Sequence, residues 1–310
     1  MEIHNPHDKF FKETLGKVAV AEDFLLNYLP PSIKSIVDIT SLEPQKDSFI
    51  SRELQESYTD LLFKTRIKQY EGYIYFLFEH KSYPSRDIAY QLLRYMVDIW
   101  AAKIEKEGLE HLPIIIPLVV YHGQQNWRIK TTLGALIPGY EQLSEDVKSF
   151  VPDYKYLLYD VSEFTDDEIK GQAQLKILLT MFRDIHRNRE GVIQSILRSV
   201  GYLQELEDKQ TGIECLKTMM SYVFGVGKNL GRTDVDRIIK EIETTYPEGS
   251  EAVMTIAEML RAEGREEGRE EGRLEVVKNA IKEGMELALI SKLTGFSKEE
   301  VEKIARAMAN

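Results

Sequence analysis

One cysteine, Cys215, stands in 310 residues, so no internal disulfide can form and a reducing compartment suits the chain. Long apolar runs are missing too. The longest, residues 113–121, is too short to cross a bilayer and is interrupted by Pro117. The amino terminus, MEIHNPHDKF, lacks the basic start and apolar stretch of a secretion signal, and a cytoplasmic location is the expectation. Positive charge is scarce: 40 Lys and Arg against 51 Asp and Glu give a formal net charge of −11, which argues against a broad basic surface. The six histidines are scattered, and no His/Cys set has zinc spacing. There is no Gly-x-x-x-x-Gly-Lys phosphate loop and no Gly-x-Ser-x-Gly elbow, which sets aside ATP- or GTP-driven chemistry and a serine hydrolase of that type.

What the chain does have is concentrated in residues 58–95, which read as strand, turn, strand, helix. Residues 73–78 are apolar at every position, the mark of a strand buried on both faces. That strand ends in Glu79-His80-Lys81, and charge at the end of a buried strand is costly unless paired or used. Alternation sends Glu79 and Lys81 one way and His80 the other. On the preceding strand Asp60 shares a face with Leu62, Lys64 and Arg66. A turn around residues 69–72 folds the two strands into a hairpin with Asp60 opposite Glu79 or Lys81. Two carboxylates about 4 Å apart repel by about 4 kcal/mol at an effective dielectric near 20. A divalent cation between them removes that cost, and such hard oxygen ligands suit Mg²⁺. Lys81 can then orient an attacking water or steady charge developing on phosphorus. Gln91 and Tyr95, four apart on one helix face, can brace the acidic pair.

Asp60, Glu79-x-Lys81 and Gln91-x-x-x-Tyr95 together resemble the PD-(D/E)XK nuclease superfamily. More narrowly, HDKFFKETL, YTDLLF, FLFEHKS, the Gln91 helix and PLVVYHGQQNW resemble the Rpn family of recombination-promoting nucleases, also labelled YhgA-like putative transposases. The likeness spans roughly the first two thirds of the chain. It implies metal-dependent DNA cleavage, with Asp60 and Glu79 as metal ligands, Lys81 as the catalytic lysine and Gln91 as a support in the catalytic set. The cofactor is expected to be Mg²⁺, with Mn²⁺ or Ca²⁺ as substitutes. Thr59 stands where the superfamily motif has proline, which alters how the chain leads into the strand rather than the acid chemistry. Nucleases of this kind often bring an acid from the first helix, which makes Asp8 an accessory candidate beside Tyr95; a first-turn partner of the helix dipole is the stronger reading of Asp8. Lys64, Arg66 and Lys68 form a short basic stripe. It reads first as an exposed hairpin tip and second as a DNA contact.

Along the rest of the chain, residues 6–29 read as helical with a break at Gly16, ended by Pro30-Pro31. Residues 33–42 read as a strand, 85–103 as an amphipathic helix, 114–121 and 154–160 as strands, and 172–199 as helical. His122 reads as a turn cap and Trp127 as a packing residue. The fold class is therefore α/β: a small mixed sheet flanked by helices, with the resemblance implying a restriction-endonuclease-like core. Three regions are expected: a nuclease-like domain at 1–203, a helical linker region at 204–250 and a helical tail at 251–310. In the tail Gly264, Gly268 and Gly272 recur every four residues, a ridge that lets another helix approach, so self-association is one reading and a solvated helical spacer the other. The last segment reads as two short helices with a Ser297/Glu300 capping box. Its spacing resembles a helix-turn-helix, but Lys298-Glu299-Glu300 would put acids against phosphate, and a packing hairpin is preferred. The expected activity is Mg²⁺-dependent hydrolysis of DNA phosphodiesters. The alternative is a dormant module that binds DNA or a partner on the same fold. Nothing in the sequence separates cleavage from strand transfer.

Overall fold

The computed structural model describes residues 6–45, 59–79, 84–108, 110–226 and 230–309, with side chains described except at 59–60, 75–79, 232, 257, 259–268, 270–271 and 309. Five described strands form one mixed sheet in sequence order: β1 (Val37–Gln45), β2 (Thr59–Ile67), β3 (Tyr70–Glu79), β4 (Ile114–Tyr121) and β5 (Leu157–Asp160). β1, β2 and β3 pair antiparallel, whereas β3, β4 and β5 pair parallel. β3 is thus the central strand, and Tyr73 and Ile74 are fully buried on its opposite faces.

The helix α3 (Ile88–Glu107) joins β3 to β4, as a parallel pair requires. Its apolar positions recur at helical spacing, and Ile88, Leu92, Tyr95 and Ile99 bury against Leu62, Tyr73, Val119 and Tyr121 of the sheet. The other face carries Phe63, Ile74, Leu118 and Val120, all buried. Three helices belong to that layer: α1 (Pro6–Leu15), α2 (Val18–Tyr28) and α4 (Ala173–Asp184). Phe24 of α2 meets Tyr159 of β5 edge-on at 5.1 Å between centroids. Phe182 of α4 meets Phe10 of α1 edge-on at 5.6 Å. The break at Gly16 is as expected. A Cβ there would stand 2.3 Å from the Lys12 carbonyl oxygen.

Four element boundaries differ from the sequence reading, the first being the amphipathic helix read over 85–103, which runs from Ile88 to Glu107. Residues 31–34 form a helical turn, begun by Pro31 in the first helical position, so β1 starts at Val37 rather than at 33. The strand expected over 154–160 narrows to Leu157–Asp160, with Lys155 instead bridged to Thr132. The helical stretch 172–199 is two helices, α4 and α5 (Arg189–Leu203), because Asn188 caps the second by accepting from the Gly191 amide at 2.9 Å.

Behind α4 lies a buried ion cluster. Arg183 Nε and Nη2 donate to Asp184 at 2.7 and 2.9 Å, and Arg183 Nη1 donates to Asp166 at 2.7 Å. Asp184 also accepts from Ser195 of α5 at 2.5 Å and pairs with Arg187 at 2.8 Å. The cluster ties α4, α5 and the loop before α4 together. Helices α6 (Lys209–Val226) and α7 (Arg232–Thr245) complete this first compact unit, which runs from residue 1 to 253; Tyr222 of α6 stacks on Phe10 at 4.5 Å.

The second unit covers residues 254–310. It contains most of α8 (Ser250–Lys282), then α9 (Leu287–Thr294) and α10 (Lys298–Ala309). Val277, Ile290 and Val301 form its fully buried centre, with Phe296 and Ile304 around them. The expected capping box is present: the Ser297 amide donates to Glu300 at 2.8 Å, and the Glu300 amide donates to Ser297 Oγ at 3.2 Å. Gly295 ends α9 in the left-handed region at φ +74°, where a side chain would be strained. Arg273 closes the corner, donating to the Thr294 carbonyl at 2.8 Å and lying over the Phe296 ring at 4.8 Å. No helix among the described residues is long and apolar enough to cross a membrane.

Candidate active site

The β2–β3 hairpin sets the site, and its turn is tighter than the sequence suggested. Ile67 pairs with Tyr70, leaving Lys68 and Gln69 as a two-residue loop, with Lys68 at φ +55°. Gly72 lies inside β3 rather than in the turn. A Cβ at that position would stand 2.5 Å from Ile67 Cδ1, so any other residue there would have to displace the buried Ile67 side chain. Placing the loop at residues 68–69 rather than around 69–72 slides the register. Asp60 pairs with Leu77, not with Glu79 or Lys81 as expected.

The slide is by whole pairs of residues and so preserves the face. Directly paired residues share a side of the sheet, and alternate residues along a strand do too. Positions 60 of β2, 77 and 79 of β3, 119 and 121 of β4, and 158 and 160 of β5 therefore belong to one class. Val119, Tyr121 and Leu158, described members of that class, pack toward α3. The side chains of Asp60 and Glu79, and all of Lys81, lie outside the described residues. Among the described residues no group of three or more His, Cys, Asp or Glu is placed to hold a metal.

Gln91 and Tyr95 project from α3 into this same layer, 9% and 0% exposed. Gln91 Nε2 donates to Asp87 Oδ2 at 3.0 Å. A carboxylate only accepts, so that bond fixes which end of the amide is nitrogen. Gln91 Oε1 is left buried with no hydrogen-bond partner among the described residues. Asp87 is held in turn by the Ser85 hydroxyl. Asp87 and its grip on Gln91 had no sequence signal beyond the i,i+4 spacing of residues 87 and 91.

Two of the three residues of the basic stripe are locally matched. Lys64 Nζ lies 2.5 Å from Glu71, and the Glu71 bond pushes the ammonium pKa up. Arg66 donates twice to Asp38 Oδ2, at 3.1 and 2.6 Å. Hydrogen bonds from Thr40 and Arg66 hold the Asp38 carboxyl below its usual range. Lys68 sits at the exposed turn.

His122 is not an exposed turn cap. It is fully buried, stacked on Phe182 at 4.5 Å with 6° between planes. His7 lies 4.8 Å away and His186 5.4 Å, and His7 Nδ1 is 3.1 Å from the Tyr222 hydroxyl. Only the tertiary fold brings these residues together. The cluster also locates Asp8. Its neighbour His7 meets His122, which follows Tyr121, the residue paired with Glu79. Asp8 is thus at the same end of the sheet as Glu79, in the opposite helical layer. Trp127 packs on Tyr121 at 5.0 Å, and its amide donates to Asp160 at 3.0 Å.

The family model described as "Putative transposase, YhgA-like" matches residues 5–214. The chain is 30% identical over 299 residues to recombination-promoting nuclease RpnA of Escherichia coli strain K12, covering 96% of each protein. It is 27% identical over 272 residues to the inactive recombination-promoting nuclease-like protein RpnE of the same strain, covering 84% of this chain and 83% of that one. To recombination-promoting nuclease RpnC it is 24% identical over 262 residues, with 84% and 82% covered. No solved structure matches the chain.

Proposed function

This chain belongs to the YhgA-like putative transposase family together with the recombination-promoting nucleases, and from that membership we propose that it is a metal-dependent DNA endonuclease on a PD-(D/E)XK core. The observation that carries the reading is the ladder: positions 60 and 79 fall on one face of adjacent strands, under the helix that presents Gln91 and Tyr95. Diagonal positions of this kind are about 7–8 Å apart, a span that two carboxylate side chains can close onto one ion.

The donor set fits a hard cation. Asp60 and Glu79 would hold Mg²⁺, for which Mn²⁺ or Ca²⁺ can substitute, and the buried Gln91 oxygen, which has no hydrogen-bond partner among the described residues, is a third oxygen donor of the same chemical kind. When bound, the ion supplies Lewis-acid chemistry, making water more acidic and neutralising phosphate charge. The remaining roles belong to the chain. Lys81 orients the attacking water and steadies negative charge at phosphorus. The Asp87 bond to Gln91 Nε2 keeps the amide from turning over. Tyr95 and the core around it hold α3 on the sheet, and Asp8, at the same sheet end, is an accessory acid. With a net charge of −11, DNA is gripped locally at the site rather than by a broad basic surface.

The test is plasmid nicking in Mg²⁺ by wild type, Asp60→Ala, Glu79→Ala and Lys81→Ala. Each substitution is expected to lower nicking by about 100-fold or more; nicking that persists in all three overturns the assignment. A second reading, a dormant DNA- or partner-binding module, is favoured by one specific finding: a relative matched over 84% of this chain carries "inactive" in its name. Wild type that binds DNA and never nicks it would select that reading.

A further inference from the structure

Beside the candidate site, on the outer side of the first turn of α3, is an open cleft of about 540 Å³, within the roughly 300–1,000 Å³ typical of small-ligand sites. Tyr90, Leu93, Leu136, Ile137 and Pro152 line it, and Arg86 is also among its lining residues. Tyr90 is 53% exposed, and Leu136 and Ile137 are each more than a third exposed. Three large side chains with apolar faces thus meet water around one concavity. Asp87 also lines the cleft, and it is the residue that holds Gln91 Nε2 at 3.0 Å. Cleft and candidate site therefore share a wall.

We infer that this cleft takes one unstacked base of single-stranded DNA, an assignment that rests on the nuclease reading for the identity of the strand alongside. A base is flat and apolar on its faces, polar at its edge, and tethered to an anion. The cleft offers a tyrosine ring as a stacking platform, an aliphatic wall from Leu136, Ile137 and Pro152, and the Arg86 guanidinium for the attached phosphate. The bases of an intact duplex are stacked on one another and have no free face to give. The cleft therefore selects single strands, frayed ends or distorted duplex next to the cleavage point.

The experiment uses the full-length protein and a short single-stranded oligonucleotide carrying one 2-aminopurine, in EDTA and again in Ca²⁺. Wild type should quench the fluorescent base on binding. Tyr90→Ala should abolish the quench and weaken single-strand binding about 5- to 150-fold, the range that loss of one stacking contact produces. Tyr90→Phe should keep both, and binding of the matching blunt duplex should be the same for all three proteins. The inference is overturned if wild type never quenches, or if Tyr90→Ala binds single strands as wild type does. It is also overturned if Tyr90→Ala weakens duplex and single strand alike. A wild-type dimer that Tyr90→Ala and Leu136→Asp render monomeric in sedimentation would give the cleft to a second copy instead. Plasmid nicking by the same preparations keeps the two readings apart. Nicking with an unaffected Tyr90→Ala sinks the cleft alone, whereas Tyr90-dependent quenching without nicking sinks the catalytic reading and leaves the cleft standing.

Discussion

Replacing Asp184 by alanine tests whether the fold behind the site depends on one buried ion cluster. The Asp184 side chain is 1% exposed and its partner Arg183 is 2% exposed. Asp184 accepts from Arg183 twice, from Arg187 and from Ser195. With the carboxylate gone, Arg183 retains Asp166, which is 67% exposed, and the Phe164 carbonyl at 3.3 Å. Breaking a buried pair from one side costs about 3–5 kcal/mol, because the remaining charge stays desolvated. For a unit of this size about 1 kcal/mol corresponds to roughly 2–4 °C, so the melting midpoint should fall by about 6–20 °C. Asp184→Asn keeps the shape but only one accepting oxygen, and its loss should be intermediate. Urea titration followed by tryptophan fluorescence reads the change, since Trp127 packs in the core of this unit. A cost below about 1 kcal/mol for Asp184→Ala would refute the reasoning.

Three further outcomes follow from the geometry. Gln91→Leu removes a buried acceptor that has no hydrogen-bond partner among the described residues but also the donor to Asp87, so stability should change by no more than about 1 kcal/mol in either direction while plasmid nicking falls; unchanged nicking would remove Gln91 from the site. Lys68→Gly relieves a side chain held at φ +55° and keeps the amide that donates to the Ile36 carbonyl at 2.7 Å, so thermal stability should rise by about 0.5–1 kcal/mol, and a fall would mean the turn is held otherwise. Asp166 is held below the ordinary carboxylate range by the Arg183 hydrogen bond and by Arg198. Its contribution is present above the unfolded value of about 4 and is lost as pH falls through the lowered folded value. Asp166→Asn should therefore flatten the acid limb of the stability curve; parallel curves for the two proteins would exclude the linkage.

Sequence patterns located the elements whose signal is local. β4 spans Ile114–Tyr121 as read, because a continuous apolar run lies between Pro113 and His122-Gly123. The Gly16 break and the Ser297 capping box were also written in short-range chemistry. The hairpin turn was not. Gly72 looked like the turn residue, yet it serves close packing against Ile67, while a lysine occupies the left-handed position at the tip. That misplacement put Asp60 opposite the wrong residue but on the right face, since a slide by pairs of residues cannot change sides. The meeting of His7, His122 and His186 depends on α1, the end of β4 and the end of α4 arriving at one place. Residues so far apart in sequence share no pattern that reading along the chain could detect.

The two ends of the β2–β3 hairpin differ in what their charges can still do. At the tip, Lys64 faces Glu71, Arg66 faces Asp38, and Tyr73 donates to Glu71 at 2.7 Å. Burial raises the Glu71 pKa, and the bonds from Lys64 and Tyr73 outweigh it, leaving the carboxyl below its usual range. Charge there is already matched within the protein, so it has little left to offer a phosphate. The opposite end is where the parallel-paired strands β3, β4 and β5 all reach their carboxyl ends. Crevices at the carboxyl ends of parallel strands are the usual ligand positions in α/β sheets. Here the first turn of α3 adds backbone N–H groups and the positive end of its dipole, which favour an approaching phosphate. On the proposed nuclease reading, the Asp60–Glu79 end would need a divalent cation rather than a basic surface, so DNA affinity there should rise with divalent ion and stay low in chelator, independently of Lys64 and Arg66.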